Sequence, residues 1–273
     1  MRIAIWDEPA LDVFAVAMEQ SGRFAPSAIR RGTRAQCRNW IVLGEVDVAL
    51  VPTLTLFREQ ALFDALPAVA ISTWESTLVE IVLNRPLGEG VRTVSFDPRY
   101  AQEVLLTQIV LKEHYQTVPV FRPVDAESVN QLLEASTDAA ILVNAASDAG
   151  AAATYRMDLG REWFELTNYP MVWGIFVTPR GAANSDHVRR LTTYAGMAEQ
   201  LTESWLADRV LDERRAAFYR SHIRYRLDDL AVASFTALQD YLYFYLATDD
   251  IAPVSFYQVP ESEADDSDDI PLL

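Results

Sequence analysis

The sequence predicts a two-lobed α/β protein, and three observations lead there. The first 66 residues alternate short apolar runs with amphipathic stretches in the order β-α-β-α, the pattern of a mostly parallel sheet. Two short, almost wholly apolar runs, 78–83 and 171–177, have the length and composition of strands buried on both faces. They read as the segments that carry the chain between the lobes. From 185 onward the chain is helical, with helices expected near 186–207, 208–220 and 228–246. The expected division is 1–84 plus 176–260 for the first lobe, which includes the C-terminal helices, and 85–175 for the second.

The elements follow in order. Residues 2–6 form a short apolar strand that Asp7-Glu8-Pro9 ends, and Pro9 suits the first turn of a helix. In that helix Leu11, Phe14, Ala15 and Met18 recur at helical spacing, and Gly22 stops it. Residues 27–31 read as extended, and Thr33 as the cap of a helix carrying Cys37, Trp40 and Ile41. A buried strand with a proline stop covers 47–52, and 53–66 returns as a helix or helical loop. Strands are expected at 69–72, 78–83 and 91–96, the last halted by Asp97-Pro98. A helix over 100–115 carries Val104, Leu105, Ile109 and Leu111. A strand at 118–121, a helix at 127–135, a strand at 138–143 and a small-residue stretch at 145–153 complete the insert. Asn168-Tyr169-Pro170 breaks the chain before 171–177, because proline pushes the preceding residue out of the helical region. Thr178-Pro179-Arg180-Gly181 closes that strand as a turn. In the last helix Phe235, Leu238, Tyr241, Leu242 and Tyr245 form an apolar face.

Composition excludes several classes. No apolar run reaches the roughly 18 residues of a membrane helix, and MRIAIWDEPA lacks the pattern of a secretory signal, so a cytoplasmic protein is expected. Cys37 is the single cysteine, which rules out an intrachain disulfide. His114, His187 and His222 show no ligand spacing, so no metal is expected. No glycine-rich phosphate loop occurs, and no cofactor is expected. A net charge of -16 opposes the cationic contacts that nucleic-acid binding rests on. Part of that charge lies in 261–273, where Glu261, Glu263, Asp265, Asp266, Asp268 and Asp269 form a run expected to be a disordered acidic tail.

In α/β sheets ligands sit beyond the carboxyl ends of strands. The polar residues expected there are Asp7, Glu8, Thr53, Ser72, Thr73, Glu75, Ser76, Asp97, Arg99, Asn144 and Asn168. Each is also a residue type that turns and helix caps use. As a set they gather on one side of a sheet. Asp7 and Glu75 are the candidate bases, able to act if burial raises their pKa. Arg99 is the candidate carboxylate clamp through its planar guanidinium, with an ion pair to Glu103 one helical turn on as its other use. Trp6 and Trp74 lie beside these loops and offer flat surfaces, for a ligand or for the core. Trp6, Thr53, Ser72, Thr73, Ser76, Arg99, Asn144 and Asn168 are the candidate binding residues.

Several motifs recur in one order. They are Gly44-Glu45-Val46-Asp47-Val48-Ala49-Leu50-Val51-Pro52, Asp138-Ala139-Ala140-Ile141-Leu142-Val143, Asp158-Leu159-Gly160 with Trp163, Thr167-Asn168-Tyr169-Pro170-Met171-Val172, and Tyr225-Arg226-Leu227 with Phe235 and Tyr241. Over about residues 1–250 the chain resembles the futalosine-pathway menaquinone biosynthesis proteins, chorismate dehydratase and dihydroxynaphthoate synthase. The resemblance implies a periplasmic-binding-protein-like (type II) fold with an interlobe cleft. It also implies a carbon-oxygen lyase acting on a chorismate-like dicarboxylate, a small-molecule carboxylate as partner, and no membrane or nucleic acid. The chain departs from the family pattern at the site. Trp6-Asp7-Glu8-Pro9 stands where the family has a loop asparagine, and Val79-Glu80 where it has a strand serine. Pro98-Arg99-Tyr100-Ala101-Gln102-Glu103 replaces a Ser/Thr-rich helix start, and Val143-Asn144-Ala145-Ala146-Ser147 replaces a Gly-Asp motif. Non-catalytic binding of an organic or aromatic acid on the same scaffold is therefore the alternative expectation.

Overall fold

The computed structural model describes residues 1–22, 29–76, 78–84, 90–125, 131, 135, 137–144, 155–249, 251 and 253–260. Its strands form two mixed sheets. The first is built from β1 (Ile3–Trp6), β2 (Ile29–Gly32), β3 (Val48–Pro52), β4 (Phe63–Thr73), β10 (Met171–Pro179) and β11 (Ile223–Arg224), in the order β11-β4-β10-β3-β1-β2. β1 runs parallel to β2 and β3, and β10 runs antiparallel to β3 and β4. The second sheet has the order β7-β6-β8-β5-β9, from β5 (Val79–Leu83), β6 (Thr93–Phe96), β7 (Val120–Pro123), β8 (Ala139–Val143) and β9 (Tyr155–Asp158). β6 is parallel to β7 and β8, while β5 is antiparallel to β8 and β9.

Burial explains the strands. β1, β3, β5 and β8 are buried at every position, so their sequences read as unbroken apolar runs rather than alternating ones. Eight of the nine β10 positions are buried, and the strand is flanked on both edges by β3 and β4. Helices α1 (Asp12–Gln20), α2 (Arg34–Val42), α3 (Thr53–Arg58), α4 (Ala101–Glu113), α5 (Leu159–Thr167), α6 (Ser185–Ala207), α7 (Glu213–Ala217) and α8 (Asp229–Phe244) cover the sheets. Thr33 caps α2 in a reciprocal arrangement: its hydroxyl accepts from Gln36 N, and the Gln36 side chain accepts from Thr33 N. Cys37 is buried on α2, and burial pushes its thiol up to about 12, which leaves it a packing residue. No helix among the described residues is long and apolar enough to cross a membrane.

Several expectations change in detail. β5 belongs to the second sheet and the whole of β10 to the first, so the sheets divide at 74–78 and 168–170 rather than at 84 and 175. A strand buried on both faces has no polar side to show which sheet it joins. The helical stretch expected over 53–66 ends at Arg58, and Phe63 already pairs with Pro179 at the start of an eleven-residue β4. The helix expected over 208–220 is a five-residue α7 followed by a π turn, Phe218–His222. β9 and α5 were not expected; β9 is largely exposed or half-buried and so carries no apolar run. The expected tail 261–273 lies outside the described residues, as do 127–130 and 145–153.

Candidate functional site

The central residue is Arg34. Thr33 caps α2, which makes Arg34 the first residue of that helix, beside the end of β1. Its guanidinium lies over the Trp6 ring at 4.5 Å and the Tyr100 ring at 5.3 Å. Trp6 is fixed in turn by its Nε1, which donates to Leu50 O at 3.0 Å. Glu8, just after β1, grips one edge of the guanidinium, accepting from Nε at 2.7 Å and Nη2 at 3.0 Å. From the other sheet, Glu103 on α4 is fully buried and accepts from Arg34 Nη1. Burial acts to lower the Arg34 pKa, and the attraction of Glu103 and Glu8 outweighs it and holds the group above its ordinary value. Two carboxylates thus share one cation between the sheets. Glu103 Oε2 is buried without a hydrogen-bond partner among the described residues.

Gln102, next to Glu103, ties the same region together. Its Oε1 accepts from Leu54 N and its Nε2 donates to Trp173 O, both at 2.8 Å. Trp173 Nε1 donates to Thr73 Oγ1 at 2.8 Å, and Ser76 N donates to Asp158 Oδ1 at 2.8 Å. Gly160 packs against this turn so closely that a Cβ there would lie 3.0 Å from both Ser76 N and Thr73 Oγ1. Asn144, at the end of β8, takes a left-handed φ of 54° and donates its N–H to Leu78 O at 2.7 Å. Trp6, Glu8, Arg34, Thr73, Ser76, Asn144 and Trp173 line one inner pocket. The space left in it is about 20 Å3, enough for about one water.

Four expected binding residues, Trp6, Thr73, Ser76 and Asn144, therefore come together. The others do not join them. Thr53 is buried and donates its hydroxyl to Val172 O at 2.8 Å, tying α3 to β10. Ser72 is buried within β4, between β10 and β11. Asn168 is the exposed left-handed cap that ends α5. Both candidate bases lie outside the inner pocket: Asp7 is exposed and pairs with Arg31 at 3.0 Å. Glu75 is half-buried and faces Arg161 at 4.0 Å and His222 at 3.9 Å. Arg99 does not pair with Glu103; it folds back on Asp97, which also caps the turn before α4. Its side chain is 64% exposed and lines a separate outer groove. Trp74 packs edge-on against Phe164 at 5.0 Å, both rings half-buried.

Arg34, Glu103 and Trp173 had not been singled out as site residues. One signal for Arg34 existed in the sequence: a cation directly after a helix cap sits at the positive end of the helix dipole and needs an acidic partner. His114, Glu162 and Glu165 also come within 4.8 Å of one another, an arrangement that spacing along single helices does not reveal. Each acid there already has a partner, Tyr115 on Glu162 and Arg161 on Glu165.

The position of Trp6 is set by Gly174. A Cβ on Gly174 would lie 2.3 Å from the Trp6 ring and 2.8 Å from Val51 O. Gly174→Ala should displace the indole and destabilise the fold by about 1–3 kcal/mol. Urea unfolding followed by tryptophan fluorescence measures it; a midpoint equal to that of the unsubstituted protein would show that the ring has room to move.

Two sheets with a pocket lined from both define a protein of the periplasmic-binding-protein fold. A family model described as menaquinone biosynthesis matches residues 1–243, and the chain belongs to that family. No match is found among curated proteins. Among solved structures, the protein AF1704 from Archaeoglobus fulgidus is 18% identical, with 89% of this chain and 97% of that one covered and a TM-score of 0.64. The periplasmic aliphatic sulphonate binding protein SsuA from Escherichia coli is 14% identical, with 95% and 92% covered and a TM-score of 0.66. A Candida albicans protein, the CA3427 gene product, is 12% identical, with 96% and 99% covered and a TM-score of 0.59. These likenesses are of fold.

Proposed function

We propose that the protein binds a small, flat organic acid between its lobes, with Arg34 as the anchor for its carboxylate. The observation that carries this reading is a buried guanidinium held between an indole and a phenol ring and already complementary to carboxylates. A ligand acid takes the place of one of the chain's own carboxylates. Trp6 and Trp173 supply flat walls, and Thr73, Ser76 and Asn144 supply polar groups for the far end. Because the pocket is nearly filled, entry requires the lobes to part. A ligand with two carboxylates would meet one cation and two resident acids, which favours a monoacid.

The second reading, a carbon-oxygen lyase acting on a chorismate-like dicarboxylate, is supported by family membership. Dehydration needs a base near the departing hydroxyl. Asp7 and Glu75 point elsewhere, and Glu8 is the carboxylate in the inner pocket. The test is one preparation and two assays. Calorimetric titration with a panel of aromatic monoacids should show one-site binding, weakened at least tenfold by Arg34→Lys, which keeps the charge but loses the planar fork. Incubation with chorismate should give little or no enolpyruvyl benzoate. Turnover on the order of 1 per second or faster would decide for the lyase, and binding untouched by Arg34→Lys would remove the proposed anchor.

A further inference from the structure

Arg34 also lines an outer groove of about 280 Å3, whose other lining residues differ from those of the inner pocket. Arg34 and Arg38 from α2, Arg58 from the end of α3, and Arg99 from the turn before α4 line it. Among the described residues, Glu59 is the one acid in that lining. In a chain of net charge -16, four guanidinium groups converging on one groove run against the overall composition. Arg34 and Arg38 stand one turn apart on the same helix face. The other arginines reach the groove from different elements and both lobes.

We propose that this groove is a second anion site, separate from the inner pocket, for a doubly charged tetrahedral oxyanion of the phosphate or phosphate-monoester class. Guanidinium forks match such oxygens edge-on, and several forks from different directions suit a tetrahedral dianion better than a flat monoacid. The present partners of these arginines are ones a dianion can compete with. Arg38 holds Glu59 through Nε and Nη2 at 2.9–3.2 Å, with both side chains partly exposed. Arg99 holds the neighbouring Asp97 from a largely exposed position. Arg58 donates Nε to Ala247 O at 3.1 Å. Arg38 and Glu59 are partly exposed, and Asp97, though buried, keeps its bond from the Arg99 backbone N–H when the Arg99 side chain turns away, so redirecting these arginines costs less than breaking a fully buried pair. The start of α4, at Ala101 and Gln102, adds the positive end of a thirteen-residue helix to the same wall. Arg34 lines both spaces and is held by Glu8 and Glu103, so the outer site rests on Arg38, Arg58 and Arg99.

Inorganic phosphate is the probe, titrated by calorimetry into the full-length protein at low, fixed ionic strength. One site with a Kd of about 1 mM or tighter is expected, and phenyl phosphate should compete for it. Arg38→Gln and Arg99→Gln should each weaken binding about tenfold, and the pair together should abolish it. Arg99 is exposed, so its variant should melt like the unsubstituted protein and keep the test valid even where Arg38→Gln loosens the fold. Arg189→Gln changes an exposed arginine remote in sequence that pairs with Asp186 on α6, and it should bind phosphate unchanged. Absence of binding, or equal weakening in Arg189→Gln, would overturn the proposal as general attraction to surface charge. So would phosphate binding that Arg38→Gln and Arg99→Gln leave intact.

Discussion

Arg34→Ala is expected to destabilise the protein by about 3–5 kcal/mol, the range for breaking a buried ion pair from one side. The cost comes chiefly from what is left behind. Glu8 and Glu103 would face each other with no cation between them, Glu103 in a fully buried position. The indole of Trp6 and the ring of Tyr100 would lose the guanidinium that packs on both. Denaturant unfolding at pH 7 measures the loss. The double substitution Arg34→Ala, Glu103→Gln should recover a substantial part of it, because a neutral amide costs far less to bury than an unpaired carboxylate. A loss under about 1 kcal/mol, typical of exposed pairs, would mean that the lobes part readily and let water reach both acids.

Much of the scaffold was legible because β1, β3, β5 and β8 are buried at every position and β10 at nearly all of them. Runs such as 48–52 and 171–177 have few alternatives once proline bounds them, and 139–143 is set off by Asp138 and Asn144. The same property hid the sheet membership of β5, since an all-buried strand shows no face. Of the residues expected to bind, Trp6, Thr73, Ser76 and Asn144 gather at one pocket, because they lie at or just beyond strand ends whose position follows from local order. Asp7 and Glu8 show the limit. They are neighbours with the same chemistry, yet one faces Arg31 at the surface and the other Arg34 in the interior. Which carboxylate turns inward depends on how β1 and α2 pack, and Arg34 meets Glu103 across 69 positions of sequence. Arg99 lies in the turn just before α4 and outside the inner pocket, because Asp97 two residues earlier holds its guanidinium.

Glu80 should be the second position of comparable effect, by about 3–5 kcal/mol for Glu80→Ala. It lies at the middle of the run that carries the chain into the second sheet, in a strand buried throughout. Its carboxylate divides between two arginines: Arg156 on β9, the next strand of its own sheet, and Arg214 on α7, in the C-terminal helical region. The backbone pairing of Glu80 with Asp158 and Leu142 fixes the side chain in place, so its loss cannot be repaired by a shift of register. Arg156 is the partner that suffers, being the less exposed of the two, while Arg214 is more exposed and can turn to water. Two variants separate these contributions. Arg214→Ala should cost about 1 kcal/mol or less, as an exposed partner would, and Arg156→Ala should cost most of the Glu80→Ala loss. Because Arg214 joins the carboxylate of the second sheet to a helix outside it, Arg214→Ala should also raise proteolysis in the linking segment 74–78 under native conditions. Equal and small losses for all three variants would show that this buried triad adds no net stability and that apolar packing alone holds the second sheet against the C-terminal helices.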